Sequence, residues 1–242
     1  MLTVALDTTT RGGSVALVDD DRVVDERSGD PSRTQAERLP AEIVTLLADH
    51  DRRTADVDLF VVASGPGSFT GLRVGIATMQ GLALVGGRPI VGVSALDALA
   101  AIGGRDLTRG ARVGAWMDAF RGDVFAALYE FCGDQRSGSG IAAGGAIEIE
   151  GPTVGDPAAT MERWLQHGPV QIIIGDGAAR YADAIARTAP ATRVLGAPPL
   201  AAALARIGID RFRQGQAGHP AAIQPLYVRR PDAELAREAR RT

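Results

Sequence analysis

Short apolar runs separated by polar turns open the chain, and a helical spacing replaces them after about thirty residues. "LTVALD" (2–7) is an apolar run of strand length that ends at Asp7, and "SVALV" (14–18) follows through the turn-rich "TTTRGG". "DDD" (19–21) then turns the chain into "RVVDER", completing an antiparallel meander. From Thr34 the side chains of Leu39, Ile43, Leu46, Leu47 and His50 share one helical face, with Pro40 expected in the first turn, where a missing N–H costs little. "DLFVVAS" (58–64) is a continuous apolar run, the pattern of a strand covered on both faces. "GPGSFTGLRVGIATMQGLAL" (65–84) reads as a glycine-rich corner feeding a helix from about Thr70 to Val85. The strand "RPIVGVS" (88–94) and the short helix "ALDALAAIG" come next. The first hundred residues therefore predict three strands, helix, strand, helix, strand, helix.

A similar, degenerate order follows "GGRDLTRGAR" (103–112). "VGAWMDA" and "DVFAALYEF" form a hairpin around Arg121-Gly122, "GDQRSGSG" a flexible loop, and "GAIEIE" a third strand. "PAATMERWLQHG" reads as a helix, "VQIIIGDGA" as a strand and turn, and "RYADAIART" and "PPLAAALARIGIDRFRQG" as helices. The chain closes on "IQPLYVRRPD" and a charged, frayed tail. Two successive units of meander plus helices indicate two related lobes without a strict repeat, 1–105 and 106–242, the last helix and tail packing back on the first lobe.

Composition narrows the classes. The 242 residues, 45% hydrophobic and 23% charged, suit an ordinary globular protein with a sizeable core. No apolar run approaches a membrane span and "MLTVALDTTT" lacks a basic segment before an apolar core, so no membrane association and a cytoplasmic location are expected. Cys132 is the single cysteine, read as an inert thiol. A net charge of −3 argues against a protein that grips nucleic acid through its own basic surface. All 26 basic residues are arginine, which removes the P-loop lysine and lysine Schiff-base chemistry together.

The corner at 65–71 supports two readings. Gly65, Gly67 and Gly71 allow close approach, the N–H groups of the following helix favour an anion, and Arg73 adds a bidentate donor. Asp7, Gly65, Gly67, Ser68, Thr70 and Arg73 are then candidate anion- or nucleotide-binding residues. The other reading is a rigid strand-to-helix corner capped by Ser68 or Thr70, because neither the P-loop ending nor the G-x-G-x-x-G spacing is present. The helix itself carries Gly71, Gly75 and Gly81 among apolar residues and has no charge from 74 to 86, so it needs packing on several sides. Either the second lobe or a partner's helix supplies it, with Gly71 and Gly75 admitting a close backbone. Asp7, Asp118 and Asp176 end strand-like segments and sketch a split nucleotide cleft. His50, His167 and His219 form no metal-binding spacing, and no G-x-S-x-G is present, so neither a metal site nor a catalytic residue is assigned.

"LTVALDTTTRGGSVAL", "QAERLPAEIVTLL", "GPGSFTGLRVGIATMQGLAL", "VSALDALA", "MDAFRGDVFAALY", "IIIGDGA" and "PLYVRRPD" occur in the order found in the TsaB (YeaZ) family, which the chain resembles over nearly its whole length. The resemblance implies an α/β, two-lobed actin/Hsp70-like (ASKHA) fold, each lobe a ribonuclease H-like mixed sheet flanked by helices. It also implies the non-catalytic dimerisation subunit of the bacterial complex that installs N6-threonylcarbamoyladenosine in tRNA. The implied partners are the catalytic TsaD paralogue and the TsaE ATPase, with a homodimer in isolation and tRNA reached only through the complex. No cofactor of its own is implied, beyond ATP or ADP at the complex interface. Carried over by position, the partner interface comprises Leu39, Ile43, Leu46, Leu47, Gly71, Gly75, Ile76, Met79 and Leu82. The chain departs from the family at Gln35, where many relatives have histidine, and in a longer loop, "GDQRSGSGIAAGG". The competing classes are a glycoprotease-like hydrolase or small-molecule kinase, and a nucleotide-sensing homodimer.

Overall fold

The structure, a computed structural model, describes residues 1–30, 32, 34–132 and 146–229. The side chain of Gln35 and the loop 133–145 lie outside the described residues. The first half contains β1 (Leu2–Asp7), β2 (Ser14–Asp19), β3 (Arg22–Ser28), α1 (Gln35–Ala48), β4 (Leu59–Gly65), α2 (Phe69–Gly86), β5 (Ile90–Ser94) and α3 (Ala95–Gly103). The second contains β6 (Arg112–Asp118), β7 (Val124–Phe131), β8 (Ala146–Gly155), α4 (Pro157–Leu165), β9 (Ile172–Ile174), α5 (Asp176–Arg180), α6 (Ala182–Thr188), β10 (Arg193–Leu195) and α7 (Ala201–Arg213).

The two sheets have the same topology. The first runs β3-β2-β1-β4-β5 and the second β8-β7-β6-β9-β10. In each, three antiparallel strands are followed by two parallel ones, reached through helices. β8 runs through Pro152, which its place at a sheet edge allows.

Strand periodicity sorts the core by side-chain size. On the outer face of the first sheet Val4, Leu6, Phe60 and Val62 pack with Leu39, Ile43, Leu46 and Leu47 of α1 and Ile76 and Met79 of α2. The opposite face presents Ala5, Ala16, Val61 and Ala63 to a shared central layer built from α3 and α7. That layer also takes Val113, Ala115 and Met117 from the second sheet. Both helices are rich in alanine, and Gly208 of α7 sits where a methyl group would fall 2.4 Å from Val61 Cγ2. Gly103 of α3 lies against β6 of the second sheet, where a methyl would fall 3.0 Å from Val113 Cγ1. The last helix of each half therefore reaches the other half's sheet, and the two lobes share one core.

Tertiary contacts cap α7. The N–H groups of Leu200 and Ala201 donate to Ser14 Oγ at 3.1 and 3.0 Å, and that of Ala202 donates to Glu26 Oε1 at 2.8 Å. These are the donors that a helix start leaves without partners. The caps of α1 and α2 are local. Thr34 and Glu37 form a capping box, and Ser68 Oγ accepts the Gly71 N–H at 3.0 Å. Because α1 begins at Gln35, Pro40 stands in its second turn and not its first. The ring removes one backbone bond there, on the exposed side of the helix.

Candidate partner-binding face and glycine loop

The corner between β4 and α2 is packed by the chain itself. Gly65 has φ 123°, a conformation open to glycine, and a methyl on it would fall 2.9 Å from the Leu226 carbonyl oxygen. The Leu226 N–H donates to the Ser64 carbonyl at 2.6 Å. A methyl on Gly67 would fall 2.9 Å from Thr9 Cα. Both glycines therefore admit neighbouring backbone, while Ser68 caps the helix, and Thr70 and Arg73 are exposed beyond it.

Asp7 is wholly buried and its carboxylate is engaged locally. Oδ1 accepts the N–H and hydroxyl of Thr9 at 2.7 and 2.5 Å, and Oδ2 accepts the Thr10 hydroxyl at 2.6 Å. It holds the β1–β2 turn closed. In the second lobe Asp176 Oδ1 accepts the N–H groups of Asp118 and Gly177 at 3.1 and 2.9 Å. Burial pushes the Asp176 carboxyl above the usual range, Asp118 adds to the rise, and the two N–H bonds oppose it. Asp118 itself accepts from the Phe120 N–H at 3.1 Å and from Arg180 at 3.3 Å. Asp7 and Asp118 thus stabilise their own turns and Asp176 ties the start of α5 to the end of β6, and no three His, Cys, Asp or Glu among the described residues converge as metal ligands.

α2 has three distinct faces, which accounts for its glycines and its missing charges. Leu72, Gly75, Ile76, Met79 and Ala83 are buried against the first sheet. Phe69, Arg73 and Gln80 lie under residues 220–227, where Gln80 Nε2 donates to the Pro220 and Ile223 carbonyls at 2.7 and 3.2 Å. Ala77, Thr78, Gly81, Leu82 and Val85 face outward and, with Pro40 and Val44 of α1, line an apolar groove of about 710 Å³. α2 is also the one helix among the described residues long and apolar enough, by length and composition, to cross a membrane.

The interface residues expected from sequence divide accordingly. Leu39, Leu46, Leu47, Ile76 and Met79 are at most 4% exposed and pack in the lobe's own core, while Ile43, 1% exposed, packs there and also lines the floor of the groove. Gly71 is buried, and Gly75 serves an internal approach, since a methyl there would lie 2.2 Å from Thr8 Oγ1. Leu82 does line the groove. The exposed large apolar residues of α1 and α2, besides Phe69 under residues 220–227, are ones outside that expected set: Val44 at 58%, Leu84 at 52% and Val85 at 93%. Gly81, with nothing within 4 Å of an added methyl, is the helix glycine that faces open space. The signal for them was present, because once Leu39, Ile43, Leu46 and Leu47 occupy the inner face, Val44 must point outward. Arg38 was also missed. It is 2% exposed, donates to Glu42 at 2.6 Å and to the Gly12 carbonyl, and so ties α1 to the β1–β2 turn.

Residues 30–167 match the family model described as TsaD, tRNA N6-adenosine threonylcarbamoyltransferase. The tRNA threonylcarbamoyladenosine biosynthesis protein TsaB of Escherichia coli is 31% identical over 95% of both chains. An uncharacterized protein of Mycobacterium tuberculosis is 32% identical over 96% of this chain and 93% of its own. Among solved structures, YeaZ from Pseudomonas aeruginosa superposes with a TM-score of 0.73 at 26% identity, covering 93% of this chain and 99% of that one. The activator of 2-hydroxyisocaproyl-CoA dehydratase from Clostridium difficile, solved with bound ADPNP, has a TM-score of 0.51 at 11% identity over 89% of this chain and 97% of its own. That likeness concerns the fold alone, the two-lobed actin/Hsp70-like architecture. Conserved architecture, collinear sequence and coverage of nearly the whole length agree that the chain belongs to the TsaB (YeaZ) family.

Proposed function

We propose that this protein acts in tRNA threonylcarbamoyladenosine biosynthesis as a non-catalytic dimerisation subunit, binding and stabilising the catalytic TsaD paralogue beside the TsaE ATPase. The observation that carries this reading is the α1–α2 groove, where Val44 and Val85 are exposed next to Gly81 and Leu82. Contiguous exposed apolar surface of this kind marks a binding site. The open space above Gly81 lets a partner's helix backbone approach closely, as small residues do at helix contacts. In isolation the same face pairs with its own copy about a two-fold axis, because a self-complementary helix pair closes as a dimer. With a net charge of −3 the chain reaches tRNA through the complex, where ATP or ADP binds at the interface, in the cytoplasm.

The role of each element follows. The buried side chains of α1 and α2 fix the helix pair to the sheet, and the exposed ones make the contact. The engaged carboxylates of Asp7 and Asp118 hold turns and that of Asp176 ties α5 to β6, and this favours a scaffold over the hydrolase or nucleotide-sensor readings.

Size-exclusion chromatography with light scattering, with and without the TsaD paralogue, tests the reading on Val85→Asp and on Val44→Asp combined with Val85→Asp. Both sites are exposed in the free chain, so the fold is retained, whereas Met79→Asp would break the core. An aspartate in an apolar interface is desolvated without a partner, and association is expected to weaken by a factor of about ten or more. Unchanged association with the paralogue, or turnover of ATP or a peptide by the purified chain alone, would overturn the proposal.

A further inference from the structure

The segment that follows the short 3-10 turn Pro220–Ala222 contacts the first lobe and then the second. On the first lobe it sits against α2 and the glycine corner. Ile223 packs over Gly92 in the middle of β5, and the Leu226 N–H bonds the Ser64 carbonyl. The Tyr227 ring stacks on Phe69 with centroids 5.2 Å apart, and the Tyr227 hydroxyl accepts from Arg73 Nε at 2.9 Å. The Arg73 guanidinium in turn lies 3.9 Å over the Phe69 ring. On the second lobe Arg229 Nη1 donates to the Ala119 carbonyl at 2.7 Å, and Nη2 bonds the Asp123 carboxylate. Ala119 to Asp123 is the β6–β7 turn, in which Phe120 and Arg121 both hold φ 58°. Arg121 and Gly122, at φ 58° and 91°, are the central pair of the hairpin turn, which the Asp123 N–H closes by donating to the Phe120 carbonyl at 3.1 Å.

We propose that residues 223–229 are a releasable strap that holds the two lobes closed over the carboxyl ends of β4 and β6. Its latches are Phe69, Arg73 and Tyr227 on the first lobe and Arg229 on the second. Three observations carry this. The segment contacts the ends of strands from both sheets, the place where open α/β sheets take their ligands. It contains no helix or strand and, among the described bonds, has one main-chain to main-chain bond to the body, so side chains hold it: Gln80 on the Ile223 carbonyl, Ile223 and Val228 at the edges of the two cores, and the aromatic and arginine contacts at its ends. The shared core of α3 and α7 lies between the faces of the sheets, which leaves the mouth to be closed by another element. Closed, the strap lies on Gly65 and covers the corner. Open, it frees the first turn of α2 and releases the Ala119 carbonyl and the Asp123 carboxylate from Arg229. The inference is independent of what binds the α1–α2 groove.

Hydrogen exchange read by mass spectrometry on the full chain tests it, comparing the parent with Arg229→Ala and Tyr227→Ala. A strap transmits release from one end to the other. Arg229→Ala is therefore expected to raise exchange about tenfold in peptides covering 66–74, which Arg229 does not touch, and Tyr227→Ala to do the same over 117–125, with α3 and α7 still protected. Changes confined to the substituted end, or no change at either, would overturn the proposal. If Arg229→Ala also exposed α3 and α7, the substitution would have unfolded the chain, and the milder Arg229→Lys would be read by the same criterion.

Discussion

Gly75 and Gly81 lie less than two turns apart on α2, and the structure predicts opposite effects for the same substitution at the two sites. Replacing an interior helical glycine by alanine stabilises by about 1 kcal/mol through backbone entropy when the methyl meets no obstacle. Gly81 satisfies that condition, with nothing within 4 Å of the added carbon, so Gly81→Ala is expected to stabilise the isolated chain by about 0.5–1 kcal/mol. At Gly75 the methyl would fall 2.2 Å from Thr8 Oγ1 and 2.8 Å from Thr8 Cγ2. Thr8 is wholly buried in the β1–β2 turn, so relief requires moving packed atoms, at a cost of about 1–3 kcal/mol that offsets or exceeds the helical gain. Gly75→Ala should therefore lose the stabilisation seen at Gly81 and come out destabilised by up to about 2 kcal/mol, the difference of those two effects. Urea denaturation at constant m-value measures both, and Thr8→Ala, which removes the two nearest atoms, should recover part of the loss in the Gly75→Ala background. Equal stabilisation at both positions would refute the reasoning. So would the absence of rescue by Thr8→Ala, because the collision with Thr8 is the whole argument for a difference.

Two other groups make independent predictions. The Tyr129 hydroxyl donates to buried Asp97 Oδ1 at 2.8 Å, while Arg211 holds Oδ2 at 2.7 Å, joining β7, α3 and α7. Tyr129→Phe leaves Oδ1 without that donor and should lower stability by about 1–3 kcal/mol in the same urea assay, with little change in the far-ultraviolet spectrum. Asp176, raised chiefly by burial, is held in a site that disfavours its charge. An acid whose folded pKa lies above its unfolded value weakens the fold as pH rises from the unfolded value through the folded one. Asp176→Asn keeps an oxygen for the two N–H donors and removes the charge, so it should raise the melting temperature at pH 7. That advantage should shrink as pH falls through the raised folded pKa and the parent carboxyl takes up its proton; a gain independent of pH would contradict the assignment.

Much of the element order can be read along the chain, and the exceptions have physical causes. β10 is three residues long and amphipathic signals need more length than that, while α5 begins directly at Asp176 and its first residues resemble a turn. The groove is harder to read. Leu39, Ile43, Leu46 and Leu47 have the spacing of a helix face, but periodicity reports that a face is apolar and not which neighbour covers it. Here the lobe's own sheet covers it.

The sequence alone determined the two successive meander-and-helix units, a capped start for α2 at Ser68 or Thr70, the absence of lysine chemistry and the family likeness, because each depends on residue type and local spacing; the structure chose Ser68 as the cap. The tertiary structure decided which side of each helix is free, since that depends on what packs against it. It assigned Gly75 to Thr8 and Gly81 to open space, although the two glycines are equivalent by propensity. It also brought α3 and α7 into one central layer and laid residues 223–229 across both lobes, contacts between segments far apart in the chain that no local spacing encodes.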